Sequence, residues 1–197
     1  MIYVLAAVIG YAIGNFTASY FVGKGMKNID IREHGSGNAG ATNTLRVLGM
    51  KAGTIVFVSD VIKGIVAAHI GIWLIGTPTG GLVAGSFAVI GHNWPLVLNF
   101  KGGKGIATTF GLMLILFPEV AGIIIAIFVS VTLLTRYVSL ASISCAITFP
   151  ILLYVFKYPS QIILIGIFLA GLAVLRHKAN ITKLINGNEN KIKFRKK

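Results

Sequence analysis

The chain is poor in charge, in acid and in cysteine. Of its 197 residues only 12% are charged, five are acidic and one, Cys145, is a cysteine. A lone cysteine inside an apolar run excludes an intramolecular disulfide and any cysteine-based metal cluster, which leaves it a packing role. The few acidic residues are scattered and form no obvious Mg²⁺ site, so neither a metal nor a cofactor is expected. The scarcity of charge excludes a soluble globular fold: with 55% hydrophobic residues and a mean hydropathy of +0.85 the chain has too little polar surface to cover itself in water. The bilayer is the expected solvent. Also missing are a basic region after Met1 and a clean small-residue cleavage site, so the first apolar run reads as a retained span rather than a signal peptide. With no repeat, linker or low-complexity block, the expectation is one membrane domain over residues 1–183 and a short basic tail over 184–197.

What is there begins with long apolar stretches. A spanning helix needs roughly 20 mostly apolar residues, and seven stretches qualify, at about 2–22, 53–75, 80–98, 105–118, 119–135, 138–156 and 160–175. Only Pro118 and Glu119 divide the fourth from the fifth. The net charge of +13 raises the question of nucleic acid, but no recognition motif accompanies it and the placement of the charge favours a membrane. Sixteen of the 18 lysines and arginines fall in the first, third and fifth connections and the tail; the exceptions are Lys63 and Lys157. That asymmetry predicts an all-α bundle of about seven transmembrane helices with the N-terminus outside and the C-terminus in the cytoplasm.

Four polar clusters interrupt the apolar chain, and in this topology all four face the cytoplasm: GSGNAGATNTLR (35–46), GHNWP with FKGGKGIATT (91–95 and 100–109), TRYVSLASIS (135–144) and RHKANITK (176–183). The first contains Gly35-x-Gly37-x-x-Gly40, with Asp60 twenty residues on, yet it is no dinucleotide fingerprint, because a span precedes it and Asp60 lies inside the next one. Its glycines let backbone N–H groups approach an anion; Ser36, Asn38, Thr42, Asn43 and Thr44 add donors, and Arg46 adds a planar cation. Lys101-Gly102-Gly103-Lys104-Gly105 is not a Walker A motif, but glycines and lysine at a helix start combine free N–H groups, the positive end of a helix dipole and a mobile ammonium. His92, Asn93 and Thr108 are further candidate donors, with Trp94 as an alternative interfacial anchor. Ser142 and Ser144 are either site residues or bonded back to their own helix. His177 and Asn180 share one helix face after the last span. Asp60 and Lys63, three apart, are expected to pair toward the bundle interior, as a structural support for the loops or as part of a proton or ion path. His69 reads as a packed polar residue.

With GSGNAGATN, GHNWP, KGGKG and RHKANI in this order on one multi-span chain, the sequence closely resembles the bacterial acyl-phosphate:glycerol-3-phosphate acyltransferases, the PlsY family, over residues 3–183. The resemblance implies transfer of a long acyl chain from acyl phosphate, not from acyl-CoA or acyl carrier protein, to the sn-1 hydroxyl of glycerol 3-phosphate. The products would be lysophosphatidic acid and inorganic phosphate, in the first committed step of bacterial phospholipid synthesis. It places the protein in the bacterial cytoplasmic (inner) membrane, working as a monomer with its active site facing the cytoplasm; its partners are the two substrates and membrane lipids, with no nucleic acid. Both substrates carry phosphate and one is lipidic, which matches anion cradles at the mouths of membrane helices. The His-x4-Asp pair common in coenzyme A-dependent acyltransferases is absent: the residues five positions after His34, His69, His92 and His177 are Ala39, Leu74, Val97 and Thr182.

The expected catalytic set is therefore Lys104, His177, Arg46, Ser142 and Asn180. The expected substrate-binding set is Ser36, Gly37, Asn38, Thr42, Asn43, His92, Asn93, Lys101, Gly102, Gly103, Gly105 and Thr108. Ser36, Gly37, Asn38 and the backbone of residues 102–105 are placed on the acyl phosphate; Arg46, Lys104, Ser142, His177 and Asn180 are placed on glycerol 3-phosphate, with Lys104 able to serve both. The proton of the attacking hydroxyl goes either to the donor's own phosphate, whose second pKa is about 6, or to His177. The rival class is a transporter of an organic phosphate, which predicts access from both faces and usually internal repeats. The tail KIKFRKK is expected to be disordered and to attract anionic lipid.

Overall fold

In lipid the backbone must satisfy its own hydrogen bonds, which leaves the helix as the natural state of these apolar runs. The structure, a computed structural model, describes residues 1–192, and those residues form ten α-helices and no strand. They are α1 (Ile2–Asn15), α2 (Ala18–Lys27), α3 (Ala41–Leu48), α4 (Met50–Ile75), α5 (Pro78–Asn93), α6 (Ile106–Leu116), α7 (Pro118–Thr135), α8 (Val138–Val155), α9 (Ser160–Arg176) and α10 (Lys178–Ile185). Among the described residues five helical stretches are long and apolar enough to cross a bilayer, and a sixth is reached if α9 and α10, which meet at a 60° bend, count as one span. The protein is thus a multi-pass, all-helical membrane protein.

Several boundaries differ from the expected ones for visible reasons. The first run is interrupted at Phe16 and Thr17, where the chain leaves helical geometry before α2 begins. The third ends at Asn93 because Trp94 precedes Pro95, and a residue before proline is pushed out of the helical region. The fourth is the 11-residue α6, about 16 Å long at 1.5 Å per residue and so shorter than the hydrocarbon core of about 30 Å. His69 is exposed rather than packed, with Nδ1 facing the carbonyl of Ile65 at 3.1 Å.

The chain divides into two compact units, Met1–Phe117 and Pro118–Lys197. In the first, α5 packs against α1, α4 and α6. Small residues allow the close approach: a Cβ on Gly10 or Gly14 of α1 would run into the backbone of Ala84 or Ala88 of α5, and one on Gly64 of α4 into the carbonyl of Thr108 on α6. Lipid supplies no hydrophobic force between helices, so such backbone-to-backbone packing carries the association.

In the second unit α8 packs against α7 and α9. Cys145 is buried there, its Sγ donating to the carbonyl of Ile124 at 3.4 Å. Residues 186–192, part of the basic tail expected over 184–197, are tied down, including Lys191 and Ile192 of the KIKFRKK stretch expected to be disordered. Asn180 donates to both carboxylate oxygens of Glu189 at 3.1 Å, the Ile192 N–H donates to the Arg136 carbonyl at 2.8 Å, and the Lys191 ammonium sits 5.2 Å over the Tyr137 ring. The rest of KIKFRKK, residues 193–197, lies outside the described residues.

Candidate active site

Two of the expected phosphate loops meet in the first unit. The loop before α3 opens on a single 3-10 turn, Ile31–Glu33, capped by Asp30, whose carboxylate accepts the Arg32 N–H at 2.9 Å. The Arg32 guanidinium forks onto the same carboxylate at 2.6 to 3.1 Å and reaches the Leu98 carbonyl at 2.9 Å, tying this loop to the segment that follows α5. These hydrogen bonds from Arg32 hold the Asp30 carboxyl below its ordinary value, and Asp30 in turn raises Arg32.

Behind the loop stands Asn43. It is 1% exposed; its Oδ1 accepts the Ser36 N–H at 2.8 Å, and its Nδ2 donates to the carbonyls of Ile31 and His34 at 3.0 and 2.9 Å. The carboxamide shapes residues 31–36 from behind. Gly35 fits the arrangement on two counts, a φ of +64° and a Cα so close to Asn43 that a side chain would strike its Oδ1. Ser36, Gly37 and Arg46 are exposed, and Asn38 and Thr42 are half-buried, so the polar groups expected to meet substrate lie on the outer side of the loop.

The second loop, residues 101–105, runs without regular structure into α6. Gly105 caps the helix at φ +79°, a left-handed conformation that glycine adopts without strain. The first-turn N–H groups of α6 have no intrahelical acceptor, and no acidic residue sits among them to compete with an anion. Lys101 is exposed and Lys104 half-buried.

The Gly103 N–H donates to the His92 carbonyl at 2.9 Å, and Cβ atoms on Gly102 or Gly103 would collide with the His92 carbonyl or its ring Nε2. The Ala39 carbonyl, from the first loop, borders the same space, 2.9 Å from where a Gly103 Cβ would lie. Asn93 and Thr108 are fully buried, and within the described residues neither the Asn93 carboxamide nor the Thr108 hydroxyl has a hydrogen-bonding partner. Both flank Gly105: Asn93 Oδ1 lies 3.0 Å from the position a Gly105 Cβ would take, and Thr108 stands one turn along α6.

His92 itself is 4% exposed and is held from behind. Lys63 Nζ lies 2.8 Å from Asp60 Oδ1, 3.0 Å from the Phe16 carbonyl and 2.6 Å from His92 Nδ1. The pairing of Asp60 with Lys63 is the one their spacing predicts. The histidine as third member, and the Arg32 tie to Leu98, escaped sequence reasoning, because both join segments far apart in the chain.

In the second unit the Ser142 hydroxyl donates to the Val138 carbonyl one turn back, at 2.9 Å. His177 is 3% exposed and its Nδ1 faces the Ala173 carbonyl at 2.7 Å. A carbonyl only accepts, so Nδ1 carries the proton and Nε2 is the basic nitrogen of the neutral ring. Asn180 meets Glu189 as described above.

The fold and the site define a multi-pass, all-helical membrane protein in which two glycine-rich, basic loops meet in the first unit. Comparison with known proteins gives the particular family. The family model described as glycerol-3-phosphate acyltransferase matches residues 4–187. Curated relatives named glycerol-3-phosphate acyltransferase include one from Thermoanaerobacter sp. (strain X514), 49% identical and aligned over 96% of this chain and 95% of its own, and one from Clostridioides difficile (strain 630), 44% identical over the same shares. The crystal structure of PlsY (YgiH), described as an integral membrane glycerol 3-phosphate acyltransferase in its glycerol 3-phosphate form, superposes with a TM-score of 0.91 at 35% identity, covering 97% of this chain and 96% of that one. Its lysphosphatidic acid form superposes with a TM-score of 0.88. The chain belongs to the glycerol-3-phosphate acyltransferase family.

Proposed function

We propose that this protein transfers a fatty acyl group from acyl phosphate to the sn-1 hydroxyl of glycerol 3-phosphate, giving lysophosphatidic acid and inorganic phosphate. The observation that carries the reading is the meeting of the two basic glycine loops in the first unit, joined through Arg32, Ala39 and His92. Both substrates present a phosphate, and backbone N–H groups at the start of α6 together with Lys104 are suited to one. The reading is supported by buried Asn93 and Thr108, whose polar atoms have no partner among the described residues and whose hydrogen bonds a bound phosphate or its water would complete. Ser36, Gly37, Asn38 and residues 102–105 take the acyl phosphate; Arg46 takes glycerol 3-phosphate, and Lys104 serves either phosphate. Of the second unit, Ser142, His177 and Asn180 are assigned to glycerol 3-phosphate.

An acyl phosphate is a mixed anhydride and needs no enzyme nucleophile. The glycerol oxygen attacks the acyl carbon, an ester C–O bond forms, the bond from acyl carbon to phosphate oxygen breaks, and the electron pair leaves with phosphate. The hydroxyl proton ends on that phosphate, directly or through Nε2 of His177. Holding the two substrates together is worth about 7–11 kcal/mol in favourable cases, and a cation at the departing phosphate about 3–4 kcal/mol more, by analogy with oxyanion donors. In the membrane we assign seven spans, with the short α6 as the fourth, an external N-terminus and a cytoplasmic active site. The orientation rests on the distribution of lysine and arginine. The protein acts as a monomer in the bacterial cytoplasmic membrane, surrounded by its lipid substrate and product.

The test is turnover by the purified chain in detergent or lipid with palmitoyl phosphate and glycerol 3-phosphate. Lysophosphatidic acid and phosphate forming one to one, with none of the lipid when acceptor is omitted, supports the proposal. Phosphate without lipid product makes the protein a phosphatase, and no turnover by folded protein refutes the acyltransferase.

A further inference from the structure

The Asp60, Lys63 and His92 cluster is expensive: two charges and an imidazole sit at 2 to 5% exposure in the interior of a membrane bundle. Replacing a buried ion pair by apolar residues of similar volume is often neutral or stabilising, so stability alone is a weak reason to have one. Its geometry points forward, to the loop. An ammonium has three protons, and three acceptors surround Lys63 Nζ: Asp60 Oδ1, the Phe16 carbonyl at the break between α1 and α2, and His92 Nδ1. Because an ammonium only donates, Nδ1 of His92 accepts and the ring carries its proton on Nε2. That is the edge of the ring set against Gly103, with the Ala39 carbonyl beside it. The main chain of the same residue holds the loop as well, through the bond from the Gly103 N–H to the His92 carbonyl at 2.9 Å.

We infer that Asp60 and Lys63 are positioning residues: by fixing the tautomer and angle of the His92 ring they set the pose of residues 101–105, and so the affinity of that loop for the phosphate of the acyl donor. The inference rests on the acyltransferase reading for its substrate. His92 acts in it through the loop backbone, behind the substrate rather than on it.

The decisive variant is the double substitution Asp60→Leu with Lys63→Met, which removes the pair and leaves no unpaired charge behind. In the full-length chain KM for palmitoyl phosphate, which meets the whole loop, is expected to rise about tenfold, the size of one lost hydrogen bond, and clearly more than KM for glycerol 3-phosphate, which meets the loop through Lys104 alone. Amide hydrogen exchange is expected to accelerate in peptides covering residues 100–106 and to hold in those covering α4 and α5. Should the double variant fail to fold, His92→Asn and His92→Gln divide the same question. Asn keeps a polar atom near Nδ1, Gln one near Nε2, so Gln is expected to recover most of the donor affinity that Asn loses. A double variant with wild-type KM and unaltered exchange at residues 100–106 overturns the inference. So does a loss of protection spread through the first unit with both KM values moving together, or Asn and Gln behaving alike. If the wild type makes no lysophosphatidic acid, the acyltransferase reading falls, and exchange at residues 100–106 still decides whether the cluster positions the loop.

Discussion

Removing the Asn43 carboxamide tests whether the first loop is shaped from behind. In Asn43→Ala three hydrogen bonds disappear: the one accepted from the Ser36 N–H and the two given to the carbonyls of Ile31 and His34. Each is worth about 1 kcal/mol net, and Ile31, itself fully buried, is left with a carbonyl short of a donor, so the loop loses about 2–4 kcal/mol. At about 1.4 kcal/mol per factor of ten, the ordered loop becomes about 30- to 1000-fold less populated relative to its open forms. Initial rates over a grid of palmitoyl phosphate and glycerol 3-phosphate should therefore show kcat/KM reduced, by up to that factor, and amide exchange at residues 31–40 faster by about 30- to 1000-fold in protein that remains folded. Asn43→Asp sharpens the test. It keeps the acceptor for Ser36 but has no proton for either carbonyl and sets a negative charge beside both, so it should be no better than alanine. Folded Asn43→Ala with unaltered amide exchange at residues 31–40, or Asn43→Asp clearly outperforming it, would refute the clamp.

Three further outcomes are expected. Lys104→Ala should lower kcat/KM by about 100- to 1000-fold if the ammonium meets charge as phosphate departs, measured as lysophosphatidic acid formed; a small loss would take Lys104 out of the chemistry. Gly103→Ala puts a methyl group into the His92 ring, with Cε1 only 2.6 Å away, so turnover should be lost with the helix content by circular dichroism intact. The pairing of Asp30 with Arg32 predicts an acid limb in stability. Because the folded carboxyl sits below its ordinary value of 3.8, the contribution is present above about pH 4 and is lost as pH falls through the lowered folded value. Thermal unfolding in detergent from pH 7 downward should show that limb in wild type and a shallower one in Arg32→Gln.

Much of this was legible in the chain because a bilayer simplifies the code. Apolar runs of sufficient length had to be helices, the position of Pro118 marked a real helix start, and a three-residue spacing paired Asp60 with Lys63. Chemistry-bearing residues were also legible as types: glycine, amide and cation in interrupted apolar sequence. Their depth was not. Ser36 and Asn43 looked alike as donors, yet one is exposed and the other sealed behind the loop, since burial on an eight-residue helix such as α3 depends on which face meets α4. The break at Phe16 was hidden because its carbonyl is satisfied by Lys63, 47 residues away, a partner that no local pattern reveals. The start of KIKFRKK read as disordered because Lys191, like Glu189 before it, finds its partner only after the chain turns at α10.

The framework and the loops of the first unit are one mechanical object, and α5 is the reason. On one side it lies against Gly10 and Gly14 of α1 at backbone distance, a contact that tolerates no added methyl. At its end the Tyr11 hydroxyl of α1 donates to the Trp94 carbonyl at 2.8 Å, and the Asn15 Oδ1 accepts the Leu96 N–H at 2.5 Å, so the chain leaving α5 is fixed as it turns. The next helix face carries His92, which meets the ammonium of α4 behind it and Gly103 in front. A helix gripped this closely by small residues has little freedom to slide or rotate, since packed interiors are not continuously deformable. The precision asked of a phosphate loop, where an error of about 1 Å costs about 100-fold in rate, is therefore supplied by glycine and alanine many residues away from any charge. Apolar small residues set where the polar ones stand, and substitutions such as Gly14→Leu belong in the same functional class as changes within the loop itself.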